Sequence, residues 1–246
     1  MSSSDWTFLT DSLSAGSVDR GITAGIARPN GGGDYIYGFN SLDVSEGAVG
    51  LFVNLAGFAP AASGLTVRGA IQRGASAGAT NFAPMLFAAL QGPSVNDTAY
   101  ILGLGDADPH HIVLVKGALV DGVPDLSPDP DGNTVLLRST ATYEPGTWLH
   151  LRMDVIVQAS GDVVIQCFQS DLDSNAVSAP DWTVIPGMEG DQYPTLTGFV
   201  DDSLGVNTGS APLVGGRTGW AFQTTDVNRR GYFDHVTIGK QEGNVG

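Results

Sequence analysis

Cysteine is nearly absent from this chain: Cys167 is the single one among 246 residues. That count excludes an internal disulfide and any zinc site built on several cysteines. Cys167 falls on the apolar side of a predicted strand, where a thiol acts as a small buried hydrophobe. Basic residues are also few, 11 Lys and Arg against 26 Asp and Glu, which leaves a formal net charge of −15. Proteins that hold nucleic acid need a positive stripe to displace counterions, and here the one adjacent basic pair is Arg229-Arg230. The same deficit argues against an anionic membrane surface. Glutamate is scarce too: only Glu46, Glu144, Glu189 and Glu242 occur, none near another. Glycoside hydrolysis on a β scaffold needs paired carboxylates roughly 5 to 9 Å apart, and no closely spaced glutamates supply them. No run reaches the roughly 18 apolar residues of a membrane span. The N-terminal Met1-Ser-Ser-Ser-Asp5 has neither the basic nor the apolar region of a signal peptide. The expectation is a protein made in a cytosol that reaches any other place by assembly or lysis.

What the chain does have is turn residues and apolar alternation. It carries 34 Gly and 13 Pro, with 42% hydrophobic residues and only 15% charged ones. That suits many short strands joined by polar loops better than helices. A length of 246 residues fits one large all-β domain, and the prediction is a single domain over 1–246.

The segment from Pro145 to Ser170 organises the rest. Leu149, Leu151, Met153, Val155 and Val157 alternate with His150, Arg152, Asp154 and Gln158, the period of a strand buried on one side. Ala159-Ser-Gly-Asp162 makes a turn, and Val163 to Phe168 returns with Val163, Ile165 and Cys167 on one face. The prediction is an antiparallel hairpin at the centre of a sheet with one wet face.

Around it, strands are predicted at Trp6–Leu13, Gly47–Leu55, Leu65–Arg73, Thr98–Leu104, Ile112–Lys116, Thr134–Thr142, Trp182–Ile185, Gly219–Gln223 and Gly231–Ile238. Tyr35, Tyr37 and Phe39 form an aromatic row, read as core. Phe82–Leu90 suits a strand or a short helix, with Pro84 at the first helical position. Ala15–Gly25, Val120–Asn133 and Asp171–Gly215, apart from the short Trp182 strand, read as loops. The sum is an all-β, two-sheet antiparallel sandwich of the jelly-roll class.

Several motifs carry chemistry on paper. Gly74-Ala-Ser76-Ala-Gly78 matches a nucleophile elbow, with Asp234 and His235 following in hydrolase order, but the elbow needs a parallel strand and a helix around it. Asp106, Asp108, His110 and His111 cluster in one loop, yet adjacent His side chains point apart when the backbone is extended. Asp125, Asp129, Asp131 and Asn133 form an oxygen-rich set suited to calcium, although their spacing fails the EF-hand pattern and a Pro-Asp-Gly turn accounts for them equally. Asn96-Asp-Thr98 is a glycosylation triplet without meaning in a cytosol. Of Trp148, Trp182 and Trp220, only Trp182 sits at a loop edge, where it is a candidate for stacking on a sugar ring.

A resemblance adds to this reading. Gly146-Thr-Trp148 opens Leu149-His-Leu-Arg-Met-Asp-Val155, followed by Val163–Phe168, Gly216-Arg-Thr-Gly-Trp-Ala-Phe222 and Tyr232-Phe-Asp-His-Val-Thr-Ile238. This order resembles the C-terminal half of a concanavalin A-like or laminin G-like sandwich over about the last 100 residues. The Glu-x-Asp-x-x-Glu pattern of the sandwich hydrolases is missing. Laminin G-like folds often hold calcium at a loop rim, which the resemblance transfers to Asp125, Asp129, Asp131 and Asn133. Among lectins, hydrolases, adhesion modules and tailed-phage virion domains, the acidic, glycine-rich chain fits the last best. The resemblance therefore implies a non-enzymatic virion structural protein, a capsid decoration, head fibre or tail component, located in the virion. Its partners would be other virion proteins and further copies of itself, met through the Asp121–Asn133 and Asp171–Gly215 loops. The alternative is a lectin-like module that binds a glycan of the bacterial host surface.

Overall fold

A computed structural model describes residues 6–10, 16–20, 37–41, 48–54, 64–73, 83–92, 94, 96–105, 108–119, 133–170, 181–224 and 230–240. Among them are sixteen strands and no α-helix. In chain order these are β1 (Trp6–Thr10), β2 (Gly16–Arg20), β3 (Tyr37–Ser41), β4 (Ala48–Asn54), β5 (Leu65–Arg73), β6 (Ala83–Leu90), β7 (Thr98–Leu104) and β8 (His111–Ala118). There follow β9 (Thr134–Thr142), β10 (Trp148–Val157), β11 (Val163–Ser170), β12 (Thr183–Val184), β13 (Asp191–Tyr193), β14 (Leu196–Asp201), β15 (Arg217–Thr224) and β16 (Arg230–Lys240).

The strands make two antiparallel sheets. Sheet A has the order β1-β4-β15-β6-β7-β8-β9, and sheet B the order β13-β14-β11-β10-β5-β16-β3-β2, with β12 paired to β11. The predicted hairpin is β10–β11, and it lies in the interior of sheet B as its alternation required. Between the sheets, Val67, Ile71, Leu151, Met153, Val155, Ile165 and Cys167 of sheet B meet Leu86, Tyr100, Leu102, Leu114 and Trp220 of sheet A in one core. Burial of Cys167 raises its thiol pKa above the ordinary range, with nearby Asp154 adding to the effect.

A second apolar cluster, with Met85, Phe87, Ile101, Val113 and Val115 all fully buried, lies on the other face of β6, β7 and β8. Strands buried on both faces read as continuous apolar runs. That is why Phe82–Leu90 resembles a helix in sequence, while its described part, Ala83–Leu90, is a strand in the fold. Across β15, β6 carries a register shift where Ala89 takes a positive φ of 59°.

Three expectations need correction. The loop predicted at Ala15–Gly25 contains β2, and the one at Asp171–Gly215 contains β13 and β14 besides β12. The outward face of β10 is not simply wet, because His150 and Asp154 are buried there. The Tyr35, Tyr37 and Phe39 side chains lie outside the described residues, as does Ser76.

One end of the sandwich is closed by a buried charge. Lys116 of β8 and Tyr100 of β7, direct cross-strand partners, both reach Asp201 at the end of β14. Lys116 Nζ lies 2.7 Å from Asp201 Oδ2, and the Tyr100 hydroxyl donates to the same oxygen at 2.6 Å. Lys116 Nζ also donates to Thr208 Oγ1 and to the carbonyls of Ser210 and Ala211. Thr208 Oγ1 donates to Asp201 Oδ1, and the Leu213 amide donates to the Tyr100 hydroxyl. Burial, then Asp201, pushes the Tyr100 phenol above its usual pKa range. The cluster ties the segment after β14 to the other sheet.

Next to it, Asp202 builds a loop. Its carboxylate accepts the amides of Leu204, Val206 and Asn207 at 3.0, 3.0 and 2.8 Å, donors that hold it below the usual carboxylate range, Val206 foremost. The tip side chains Leu204 and Val206 are 87% and 77% exposed.

The edge of sheet A at β9 is blunted. Its pairing with β8 shifts register twice, Ser139 Oγ accepts the Ile112 amide, and the Thr140 amide donates to the Pro186 carbonyl. Bulges and a clipped amide discourage pairing with another chain.

Candidate functional site

The outward side of sheet B is where polar and aromatic side chains gather. The alternation that sends Val67, Leu151, Met153, Ile165 and Cys167 inward turns their neighbours out, and the strand register arranges those neighbours in rows. One row joins Thr66, Asp154 and Gln166; the next joins Arg68, Arg152, Phe168 and, on β12, Val184; a third joins Ala70, His150 and Ser170.

Arg152 is the centre of the face. Its Nε donates to Asp154 Oδ1 at 2.8 Å and its Nη2 to Asp154 Oδ2, a bidentate contact. Thr66 Oγ1 donates to Asp154 Oδ1 at 2.7 Å, so the fully buried carboxylate is satisfied on both strands. This fork fixes the plane of the guanidinium. The guanidinium carbon stands 5.0 Å from the Phe168 ring centre and 6.0 Å from that of Trp182, inside the range of cation–π attraction. The Trp182 ring also packs on His150, centroid to centroid 4.6 Å at a tilt of 56°. Arg152 keeps its side chain 25% exposed, and Trp182, Phe168 and Arg68 are half-buried.

Trp182, the residue the sequence offered for stacking on a sugar ring, stands at this face next to the two-residue β12, which pairs with Phe168 and Gln169 of β11. Arg152, Arg68, His150 and Phe168 were not singled out. The alternation of β10 marked His150, Arg152 and Asp154 as one side, but nothing local told which strand would supply Arg68 or Phe168 beside them.

The metal candidates fare differently. Asp125, Asp129 and Asp131 lie outside the described residues. Asn133 is buried, its Oδ1 accepting the Ala118 amide at 2.8 Å and its Nδ2 donating to the Ala118 carbonyl at 3.2 Å. It serves the main chain, as a side-chain substitute for a strand partner. In the other cluster, His110 Nδ1 faces Arg73 and the Gly105 carbonyl, while His111 Nδ1 faces the Ser139 carbonyl, so the two rings diverge. Among the described residues no three of His, Cys, Asp and Glu gather as a metal site.

At the β10–β11 turn, Asp162 accepts the Tyr193 hydroxyl, the Ser203 amide at 2.7 Å and the Ser160 hydroxyl at 2.7 Å. These donors, Tyr193 first, hold its carboxyl far below the ordinary range. The contact locks the hairpin turn to β13 and to the segment after β14.

No protein-family model matches the chain, and no curated protein matches it by sequence. Solved structures match in fold. The cellulose induced protein Cip1 superposes with a TM-score of 0.52 at 13% identity, covering 97% of this chain and 93% of that one. The carbohydrate binding module CBM66 from Bacillus subtilis gives 0.47 at 11%, covering 95% and 94%. The exoplasmic/lumenal domain of VIP36 in its Ca2+/Man3GlcNAc-bound form gives 0.47 at 13%, covering 98% and 86%. At such identities the likeness concerns the fold alone, which is the two-sheet antiparallel sandwich of the concanavalin A-like kind.

Proposed function

We propose that this chain is a carbohydrate-binding module that takes up a glycan on the outward face of sheet B, without chemical turnover. The observation that carries the reading is the Arg152 guanidinium held flat by Asp154 between the rings of Phe168 and Trp182. A pyranose ring has an apolar C–H face that lies against an aromatic face and equatorial hydroxyls that need planar donors and acceptors. The rows around Arg152 offer both kinds of group within a few ångströms, on strands whose backbone is fixed by the core. Calcium at the loop of Asp125, Asp129 and Asp131 is a separate part of this reading, and Asn133 contributes least to it because its amide is engaged with Ala118.

A glycan array with the purified chain tests the proposal, followed by titration of any hit against Trp182→Ala. An aromatic contact of about 0.5 to 1.5 kcal/mol predicts roughly two- to tenfold weaker binding in the variant. An array without hits, or a hit that Trp182→Ala leaves untouched, sinks the proposal. A second reading keeps the chain as a virion structural protein that assembles with other virion proteins or with its own copies. It is favoured by the exposed apolar pair Leu204 and Val206 on a loop braced from within. Light scattering and electron microscopy of the pure protein test it: rings or higher oligomers support it, and a monomer at all concentrations counts against it.

A further inference from the structure

We infer that Gly239 of β16 keeps the outward face of sheet B open for the middle of a linear, equatorially linked glycan, which crosses the strands from Trp182 to β16. The inference rests on the glycan-binding reading and deepens it. Gly239 pairs with Thr66 of β5. Because Ile238 beside it packs against the core, Gly239 belongs to the outward side, and it is exposed. A glycine weakens the strand that holds it, and the fold retains one for a bulge, a left-handed φ or the close approach of other main chain. None of these applies to Gly239. The register shift of β16 falls earlier, between Asp234 and Thr237. The φ of Gly239 lies outside the left-handed region, and a Cβ added there would meet no heavy atom within 4 Å. Gly198 of β14 is the contrast: an added Cβ would stand 2.5 Å from the Ile165 carbonyl oxygen, so packing alone demands that glycine. What remains for Gly239 is the approach of a ligand to the bare strand.

The groups that can hold a ligand lie in line with that opening. From Trp182 beside β12, through Phe168 of β11, Arg152 of β10 and Thr66 of β5, to Gly239 of β16, the face crosses four strand steps, roughly 19 Å at the usual spacing. One step is close to the length that a single pyranose adds to an extended chain, so each strand can meet one ring. Trp182 and Phe168 supply aromatic faces for the C–H side of a sugar. Both N–H groups of Arg152 Nη1 lie outside the fork to Asp154. Gln166, whose Nε2 donates to the Thr197 carbonyl, keeps its Oε1 as an acceptor. Donor, acceptor and ring faces are thus spread along a line. A chain interior takes one contact per ring from such a line, whereas a chain terminus needs its several hydroxyls met at one point. An equatorially linked chain is extended and flat, as the line requires, and an axially linked one curls away from it.

Calorimetric titration with linear β-1,4-linked glucose and mannose oligomers, from the monosaccharide to the hexamer, tests this on the wild-type chain, Gly239→Ala and Gly239→Ile. Thermal unfolding comes first. Neither substitution should lower Tm, since the space is open and a strand favours a side chain there; a fall in Tm would give the glycine a structural role and overturn the inference. Affinity for the wild-type chain is expected to rise about two- to tenfold with each added ring, up to about four rings, and then to level off. Gly239→Ile should return the longer oligomers to the affinity of a shorter one and spare the disaccharide, with Gly239→Ala in between. A hexamer capped at both ends should bind as tightly as the free one. Affinity indifferent to length, loss of binding on capping, oligomers unmoved by Gly239→Ile, or failure of both series while other array glycans bind overturns the inference and leaves glycan binding standing. Failure of both series and of every array glycan overturns the glycan reading, and this inference with it.

Discussion

Replacing Lys116 by methionine keeps an unbranched stem and removes the ammonium from a pair whose side chains are 3% and 0% exposed. Asp201 would keep two hydroxyl donors, Tyr100 at 2.6 Å and Thr208 at 2.9 Å, but would lose its counter-charge. Breaking a buried pair from one side costs about 3 to 5 kcal/mol, chiefly because a charge is left uncompensated. The two hydroxyls place the expected loss near the lower end, about 3 kcal/mol. With a urea slope of about 2 kcal/mol/M, the unfolding midpoint should fall by about 1.5 M. Adding Asp201→Asn to the Lys116→Met chain removes the stranded charge and should return about 1 to 2 kcal/mol, so the double variant is the more stable of the two. Tryptophan fluorescence in urea reads the midpoints, and hydrogen exchange at the Leu204, Val206 and Asn207 amides reads release of the loop. A loss under about 1 kcal/mol for Lys116→Met, or a double variant no better than the single one, would refute the reasoning.

Other outcomes follow from the same geometry. Asp162 has a depressed folded-state pKa, so as pH falls the unfolded chain takes up its proton first; its contribution is complete above about pH 5 and is lost progressively below the ordinary aspartate value of about 3.9. Asp162→Asn should flatten that part of the stability profile, and parallel acid unfolding curves for the two chains would count against it. At Gly117 an added Cβ would stand 1.8 Å from Asn133 Oδ1, so Gly117→Ala should cost about 1 to 3 kcal/mol, read as a fall in Tm; an unchanged Tm would contradict the placement of Asn133. Leu204→Ser, at 87% exposure, should shift the urea midpoint by less than about 0.5 kcal/mol equivalent; a larger loss would mean that the tip packs on something.

The sequence made strands legible where one face is wet or breakers stand at both ends. Leu65–Arg73, Thr98–Leu104 and Thr134–Thr142 carry their period or their β-branched residues between turn clusters, and their bounds agree with the fold. Phe82–Leu90 stayed ambiguous because periodicity vanishes when both faces are buried, as Met85, Leu86 and Phe87 are. β14 was hidden because Leu196-Thr-Gly-Phe-Val-Asp201 is short and stands among Gly, Asp and Pro, and its pairing with Val163–Ile165 is a fact of tertiary structure. The site was half visible for the same reason. Trp182 announced itself by residue type and the β10 alternation gave Arg152 a side, but only strand pairing sets Arg68 against Arg152 across more than 80 residues of chain. Lys116 and Asp201 stand 85 positions apart, and no local pattern foretells their meeting.

Asp201 and Asp202 are chain neighbours that face opposite ways: one is sealed among Lys116, Tyr100 and Thr208, the other gathers the amides of the loop beyond it. The loop's path is written in main-chain donors and in one carboxylate at its root, while Leu204 and Val206 lend it no enclosed surface. Side chains at the tip can therefore be exchanged during evolution almost without regard to the scaffold. The chain can alter what it displays at that end while the sandwich beneath it stays the same.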